Sequence, residues 1–233
     1  MKHLFFDIDR TLWDFETNSK NALQKLYDSF QLENHFDHFI QFQKIYSSIN
    51  KELWKKYGKG KVSKQELRNL RFIKTLEKVN VYEPVLANEL NEKYLQIAPY
   101  EKVLFPNVKE TLDQLSKKYK LHIITNGFQD AQLIKLEQSE IRHYFDVIVC
   151  SETVGKTKPH REIFEHALKV SGASIAESIM IGDDPSTDIL GANQMGMNAL
   201  LFDHQHQRKK TFGVKTFHDF QELPLKLVMY HVV

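Results

Sequence analysis

Apolar positions follow two different rhythms along this chain, and the change of rhythm divides it. Residues 2–8 hold an uninterrupted apolar core, Leu4-Phe5-Phe6 with Ile8 close behind, which reads as a strand covered on both faces. From about Phe15 to Pro99 helical spacing takes over and no convincing strand occurs. Ile45, Ile49, Leu53 and Tyr57 recur at four-residue steps and predict one buried helix stripe. Gly58-Lys59-Gly60 breaks that helix, and Ser63-Lys64-Gln65-Glu66 reads as a capping box opening the next, with Leu67, Leu70, Ile73 and Leu76 on its stripe. Pro84 suits the first turn of a further helix through Leu86, Leu90 and Tyr94.

After Pro106 helix and strand patterns alternate. Helices are predicted over 107–119, 131–140, 161–171 and 188–195, the last two stopped by Gly172 and Gly196. Strands are predicted over 121–125, 145–151, 178–181 and 199–202. Such alternation predicts an α/β protein, a Rossmann-like parallel sheet with helices on both faces and a helical cap inserted after the first strand. The boundaries expected are 1–14 and 101–233 for the core and 15–100 for the cap. In an open parallel sheet ligands gather at the carboxyl ends of the strands. An insertion after the first strand is therefore expected above that end, as a lid.

Four polar clusters follow the strand-like runs. They are Asp7-Ile8-Asp9, Thr125-Asn126-Gly127, Lys158-Pro159, and Gly182-Asp183-Asp184 with Asp188 beyond. Each has an ordinary reading as a turn or helix entry, and only their combination and order point to chemistry. If Asp7 and Asp9 continue an extended strand, both face one pocket while Ile8 enters the core. A carboxylate can attack phosphorus to give an aspartyl-phosphate. The obstacle is repulsion: unit charges at ~4 Å interact by roughly 4 kcal/mol at an effective dielectric of ~20, and a phosphate dianion doubles that. A Mg²⁺ ion between Asp7 and Asp183, with the Lys158 ammonium, offsets it. The Thr125 hydroxyl and the N–H groups that follow it, including that of Asn126, suit the equatorial phosphate oxygens. Asp9 is the candidate to protonate the leaving oxygen and then to take a proton from water.

Over nearly its whole length the chain resembles the haloacid dehalogenase superfamily, in the motifs FFDIDRTL, IITNG, the Lys158 of VGKTKP, and IGDDPSTDILGA. The resemblance implies Asp7 as nucleophile, Asp9 as acid/base whose backbone carbonyl also ligates Mg²⁺, and Asp183 rather than Asp184 as the remaining ligand. Thr125 and Lys158 would hold the phosphoryl group, and Asp188 would orient the lysine or a metal-bound water, with Asp184 beside it. Dehalogenases of the superfamily lack the second aspartate, so Asp9 implies a phosphatase or phosphomutase. Arg10 departs from the pattern, which often has glycine there, and becomes a candidate substrate contact. The stretches 9–15, Leu53-Trp54, Leu70-Arg71-Phe72 and 151–155 further resemble the branch that dephosphorylates nucleoside 5′-monophosphates, often pyrimidine ones. Trp13 would then stack on a base or anchor the loop between core and cap. In the cap, Trp54 and Arg71 are candidates, along with Asn50, Tyr57, Lys59, Arg68 and Phe72; the spacing puts Arg68 and Arg71 on an exposed face.

Composition narrows the partners. With 233 residues, 42% hydrophobic and 27% charged, the chain can build one large core and a smaller appended unit. A formal net charge of +2 does not predict binding to a nucleic-acid polymer. The single cysteine, Cys150, excludes an intramolecular disulfide, fits a reducing cytoplasm, and reads as a small buried hydrophobe. No apolar run reaches the ~20 residues needed to span a bilayer, and Asp7 and Asp9 interrupt any signal-peptide core. The expectation is a cytoplasmic Mg²⁺-dependent phosphomonoesterase acting on a small phosphorylated metabolite, with a nucleoside 5′-monophosphate first. The alternatives are a sugar-phosphate phosphatase, a phosphomutase with a second phosphate clamp in the cap, or a phospho-accepting signalling module.

Overall fold

The computed structural model describes residues 2–206 and 214–228. Strands β1 (His3–Phe6), β2 (Lys120–Thr125), β3 (Phe145–Cys150), β4 (Ser178–Gly182), β5 (Asn198–Phe202) and β6 (Lys215–Phe217) form one sheet in the order β3-β2-β1-β4-β5-β6. Every pairing is parallel, with Phe6 opposite both Ile123 and Ile181. The two-residue period explains how continuous apolar runs fill two cores. Leu4, Phe6, Leu121, Ile123, Ile179, Ile181, Leu200 and Phe202 enter one cluster, whereas Phe5, Ile124 and Met180 enter the other. The three-residue β6 was not expected from the pattern, because a strand that short has too little periodicity to recognise.

The chain separates into two compact units. One contains the described residues up to Phe15 and from Lys102 onward, the other Glu16–Glu101. The second unit is built from α1 (Phe15–Ser29), α2 (Phe39–Tyr57), α3 (Lys64–Glu77) and α4 (Pro84–Ile97). Gly58 caps α2, and Ser63 and Glu66 make both reciprocal hydrogen bonds of the expected box, at 3.2 and 2.7 Å. The buried stripe of α2 is rotated from the expected one: Phe42, Tyr46, Ile49, Asn50 and Leu53 face inward, while Ile45 and Tyr57 are half-buried. Aromatic volume is the reason, since Tyr46 packs 5.1 Å from Phe72 and 5.5 Å from Tyr94, and Phe42 lies 5.1 Å from Phe36.

Arg71 is a second correction, for it is buried on α3 and not exposed. Its Nε and Nη2 both donate to Asn91 Oδ1, at 3.3 and 3.1 Å, and its guanidinium lies 4.7 Å from the centre of the Tyr94 ring. An amide acceptor and an aromatic face thus replace part of the water it loses. Two of its five N–H donors are thereby bound within this unit.

In the first unit α5 (Val108–Ser116), α6 (Gln129–Gln138) and α10 (Leu223–Val228) send Leu112, Leu136 and Leu227 to one face of the sheet. On the other face, Phe164 of α8 (Arg161–Ser171) and Ala192 of α9 (Leu190–Gln194) join Phe5, and the single turn α7 (Ser151–Val154) follows β3. Cys150, the single cysteine, is buried. The helix expected over 188–195 begins earlier, as a wide π turn at Pro185–Ile189. There the Asp184 carbonyl accepts the N–H of Asp188 at 2.9 Å and the Asp184 carboxylate caps Ser186 at 2.7 Å.

β1 and β2 also carry a buried imidazole pair. His3 Nδ1 and His122 Nε2 lie 3.0 Å apart with stacked rings. Burial, reinforced by His3, pushes His122 down from 6.5 to about 4, and His3 is lowered by burial and Lys120. The unfolded chain then binds more protons, so the pair's stabilisation is complete above pH 6.5 and is lost as pH falls toward about 4. Urea midpoints of the natural chain should fall more steeply across that window than those of a His122→Asn variant; parallel curves would show that the pair does not govern acid sensitivity.

Candidate active site

Asp7 is the first residue beyond β1, and its N–H still donates to the Ile181 carbonyl of β4 at 2.9 Å. The extended pattern then stops, earlier than expected, because the Ile8 carbonyl gathers the N–H groups of Thr11, Leu12 and Trp13 at 3.2, 2.9 and 2.9 Å. Ile8 is fully buried, as its place between two acids suggested. The coil nevertheless gives Asp7 and Asp9 different partners rather than one shared face. Arg10 turns the loop with φ 69°, the left-handed conformation that glycine adopts without strain. Its guanidinium lies 4.0 Å from the centre of the Phe15 ring.

Lys158 stands at the centre of the site with 3% of its surface exposed. Its ammonium lies 2.6 Å from Asp7 Oδ1, 2.7 Å from Asp188 Oδ1 and 2.7 Å from the Ile124 carbonyl oxygen of β2. The contacts to Asp7 and to the Ile124 carbonyl are hydrogen bonds, and the contact to Asp188 is an ion pair. Burial alone would depress this lysine; Asp188 and Asp7 together outweigh it and hold it above its usual range. The Asn126 side chain fixes the same residue from behind, accepting the Lys158 N–H at 2.7 Å and donating to the Lys158 carbonyl at 3.1 Å.

Asp7, Asp183 and Asp188 bring carboxylate oxygens within 4.8 Å of one another. Gly182 permits this, since a Cβ there would lie 2.2 Å from Asp188 Oδ2. Asp184 stays outside the group, its carboxylate bound to the N–H and hydroxyl of Ser186. Asp9 also stays outside it. Burial, opposed by Lys158 and aided by Asp188, raises Asp7 to about 7, and burial with the charges of Asp7 and Asp188 raises Asp183 to about 8. One ammonium thus faces three clustered acids. A hard divalent cation suits this all-oxygen donor set and would relieve the excess negative charge, so the residues fit Mg²⁺.

The Asp9 carboxylate points to α6. Lys135 Nζ donates to Asp9 Oδ1 at 2.5 Å and Gln132 Nε2 to Asp9 Oδ2 at 2.6 Å. Burial would raise Asp9, but Lys135, Gln132 and Arg10 prevail and hold it below the usual carboxylate range. Neither Gln132 nor Lys135 was singled out from the sequence. The available signal was two polar residues, three apart, on the face of α6 that also buries Leu136.

Trp13, a candidate base platform, is 2% exposed and lies in the core with Lys135 Nζ 4.2 Å from the centre of its ring. It anchors the loop and offers no open face for stacking. Trp54 is half-buried on α2, edge-on to Tyr57 at 5.6 Å.

The chain is similar to known proteins over most of its length. Residues 4–202 match the family described as haloacid dehalogenase-like hydrolase. The chain is 31% identical over 229 residues to the pyrimidine 5′-nucleotidase YjjG of Escherichia coli strain K12, covering 96% of this chain and 97% of that protein. It is 29% identical to the pyrimidine 5′-nucleotidase PynA of Streptococcus pneumoniae, covering 95% and 93%. Its fold superposes on the magnesium-bound crystal structure of the HAD-hydrolase YfnB from Bacillus subtilis with a TM-score of 0.86 at 24% identity, over 97% and 98% of the two chains.

The raised acids set a pH dependence. A carboxyl group whose folded pKa exceeds its unfolded value favours folding while protonated, and that contribution disappears as pH rises through the folded pKa. Without metal, Asp7 and Asp183 therefore weaken the fold increasingly as pH rises through about 7 and about 8. Mg²⁺ should raise the melting temperature more above pH 8 than below pH 7. An equal increase at both pH values would contradict the clustered-acid site.

Proposed function

The chain belongs to the haloacid dehalogenase-like hydrolases, and from that premise we propose that it is a Mg²⁺-dependent phosphomonoesterase that transfers the phosphoryl group of a nucleoside 5′-monophosphate to Asp7 and then to water. The observation that carries this reading is the Lys158 ammonium held 2.6 Å from Asp7, beside the Asp183 and Asp188 carboxylates. The substrate class is supported by the likeness to two proteins named pyrimidine 5′-nucleotidases.

The substrate phosphate meets Lys158 and the Thr125 hydroxyl. Thr125 Oγ1 accepts N–H groups from Gly127 at 3.1 Å and from Gln132 at 3.2 Å, so its own O–H is left to donate to a phosphate oxygen. A carboxylate oxygen of Asp7 attacks phosphorus, forming the Oδ–P bond as the bond to the leaving oxygen breaks. Asp9 delivers its proton to that oxygen. The arriving dianion supplies the reason Asp9 can hold a proton then, because negative charge nearby opposes the pull of Lys135 and Gln132. Water next attacks the aspartyl-phosphate, loses a proton to Asp9, and releases inorganic phosphate and the Asp7 carboxylate.

Asp7 and Asp183 would hold Mg²⁺, with the Asp9 carbonyl as a further ligand, and the ion would supply positive charge against the repulsion between nucleophile and phosphate. Asp188 orients Lys158. We assign the unit Glu16–Glu101, inserted in the chain between the Asp7 loop and the rest of the core, to the choice of leaving group. A small phosphorylated metabolite in a reducing cytoplasm fits the modest net charge and the single cysteine.

Phosphate release should be highest with nucleoside 5′-monophosphates in a panel that includes sugar phosphates and phosphorylated acids. Asp7→Asn should abolish turnover, and Asp9→Asn should lower it by about 100-fold or more on alkyl phosphates. Excess chelator should stop the reaction. Undiminished hydrolysis by Asp7→Asn would eliminate the assigned nucleophile, whereas a sugar phosphate leading the panel would change the substrate alone.

A further inference from the structure

We infer that Gln132 and Lys135 of α6 are positioning residues, fixing the Asp9 carboxylate where the leaving oxygen departs and, through Gln132, aiming the Thr125 hydroxyl at the phosphoryl group. The inference rests on the phosphatase reading above and adds to it a support that lies outside the four sequence motifs. Each oxygen of Asp9 has its own donor, Lys135 on Oδ1 and Gln132 on Oδ2. A carboxylate held at both oxygens cannot rotate about its last torsion without breaking a charge-assisted hydrogen bond. Gln132 also donates to Thr125 Oγ1. The two amide hydrogens thus tie the residue at the leaving group to one at the transferred phosphate.

Burial makes the arrangement rigid. Gln132 and Lys135 are 1% and 8% exposed, and the Lys135 ammonium rests on the face of Trp13. Gly127 leaves room for Gln132, since a Cβ there would stand 1.8 Å from Gln132 Nε2. A buried lysine on a helix facing a sheet needs a reason, and a carboxylate anchor with an aromatic floor provides one. In the phosphoryl-transfer step, which kcat/KM reports, a preorganised acid at the departing oxygen matters only when that oxygen is a poor leaving group.

The test compares kcat/KM for uridine 5′-monophosphate, an alkyl phosphate, with that for 4-nitrophenyl phosphate, whose leaving group departs without protonation. Lys135→Met should lower the ratio of the alkyl to the aryl value by roughly tenfold, part of the general-acid contribution, and Lys135→Arg should restore most of it. Gln132→Met should lower the ratio and also raise KM for both substrates, and Gly127→Ala should reproduce it by displacing the amide. In an Asp9→Asn background, Lys135→Met should change alkyl turnover little, because both act through one group.

Equal losses on both substrates, or full additivity with Asp9→Asn, would overturn the inference and leave the α6 pair as scaffold. A natural chain that releases phosphate from neither compound would instead fail the phosphatase reading beneath it.

Discussion

A buried ammonium that needs three acceptors organises this protein. Taking Lys158 out of water is costly unless charge and hydrogen bonds replace the lost hydration, and the replacements come from three separate stretches: Asp7 after β1, the Ile124 carbonyl of β2 and Asp188 in the π turn after β4. Asn126 holds the lysine's own backbone from the turn after β2. The ends of the three central strands are therefore registered against one another by one charge. Removing either carboxylate leaves the lysine underpaired, so the groups that arrange the site also stabilise the unit that bears it.

The second organising feature is the division of labour between two aspartates only two residues apart. Surroundings push them in opposite directions, Asp7 up to about 7 by burial near other acids and Asp9 below its normal range by Lys135 and Gln132. Such divergence marks pairs of like groups with unlike roles. It originates in the backbone, since the Ile8 carbonyl draws three N–H groups around itself and turns Asp9 toward α6. Had the strand continued, both carboxylates would have faced one side, where Asp9 would add to the charge that already raises Asp7.

The helical unit carries its own aromatic core, in which Tyr46, Phe72 and Tyr94 pack around the Arg71 guanidinium. A separate core lets its surface vary without disturbing the catalytic unit, a useful property in an element assigned to substrate choice. Within it the Arg71 guanidinium is bound to the Asn91 side chain.

Periodicity and turn chemistry were enough to read the alternating α/β plan, the capping box at Ser63 and the four polar clusters, because those signals are local: a two-residue or 3.6-residue repeat and a few residues of turn. The motif order pointed to the family for the same reason. The inward face of α2, the burial of Arg71 and of Trp13, and the α6 support for Asp9 were decided only by the tertiary structure. Each depends on a partner outside its own segment, such as Asn91 on the next helix for Arg71, 20 residues on, or Lys135 for Asp9, 126 residues on. Spacing along a segment tells which residues share a face; it carries no record of what that face will meet, and the meeting decides whether a buried charge is paired or a ring is open to a ligand.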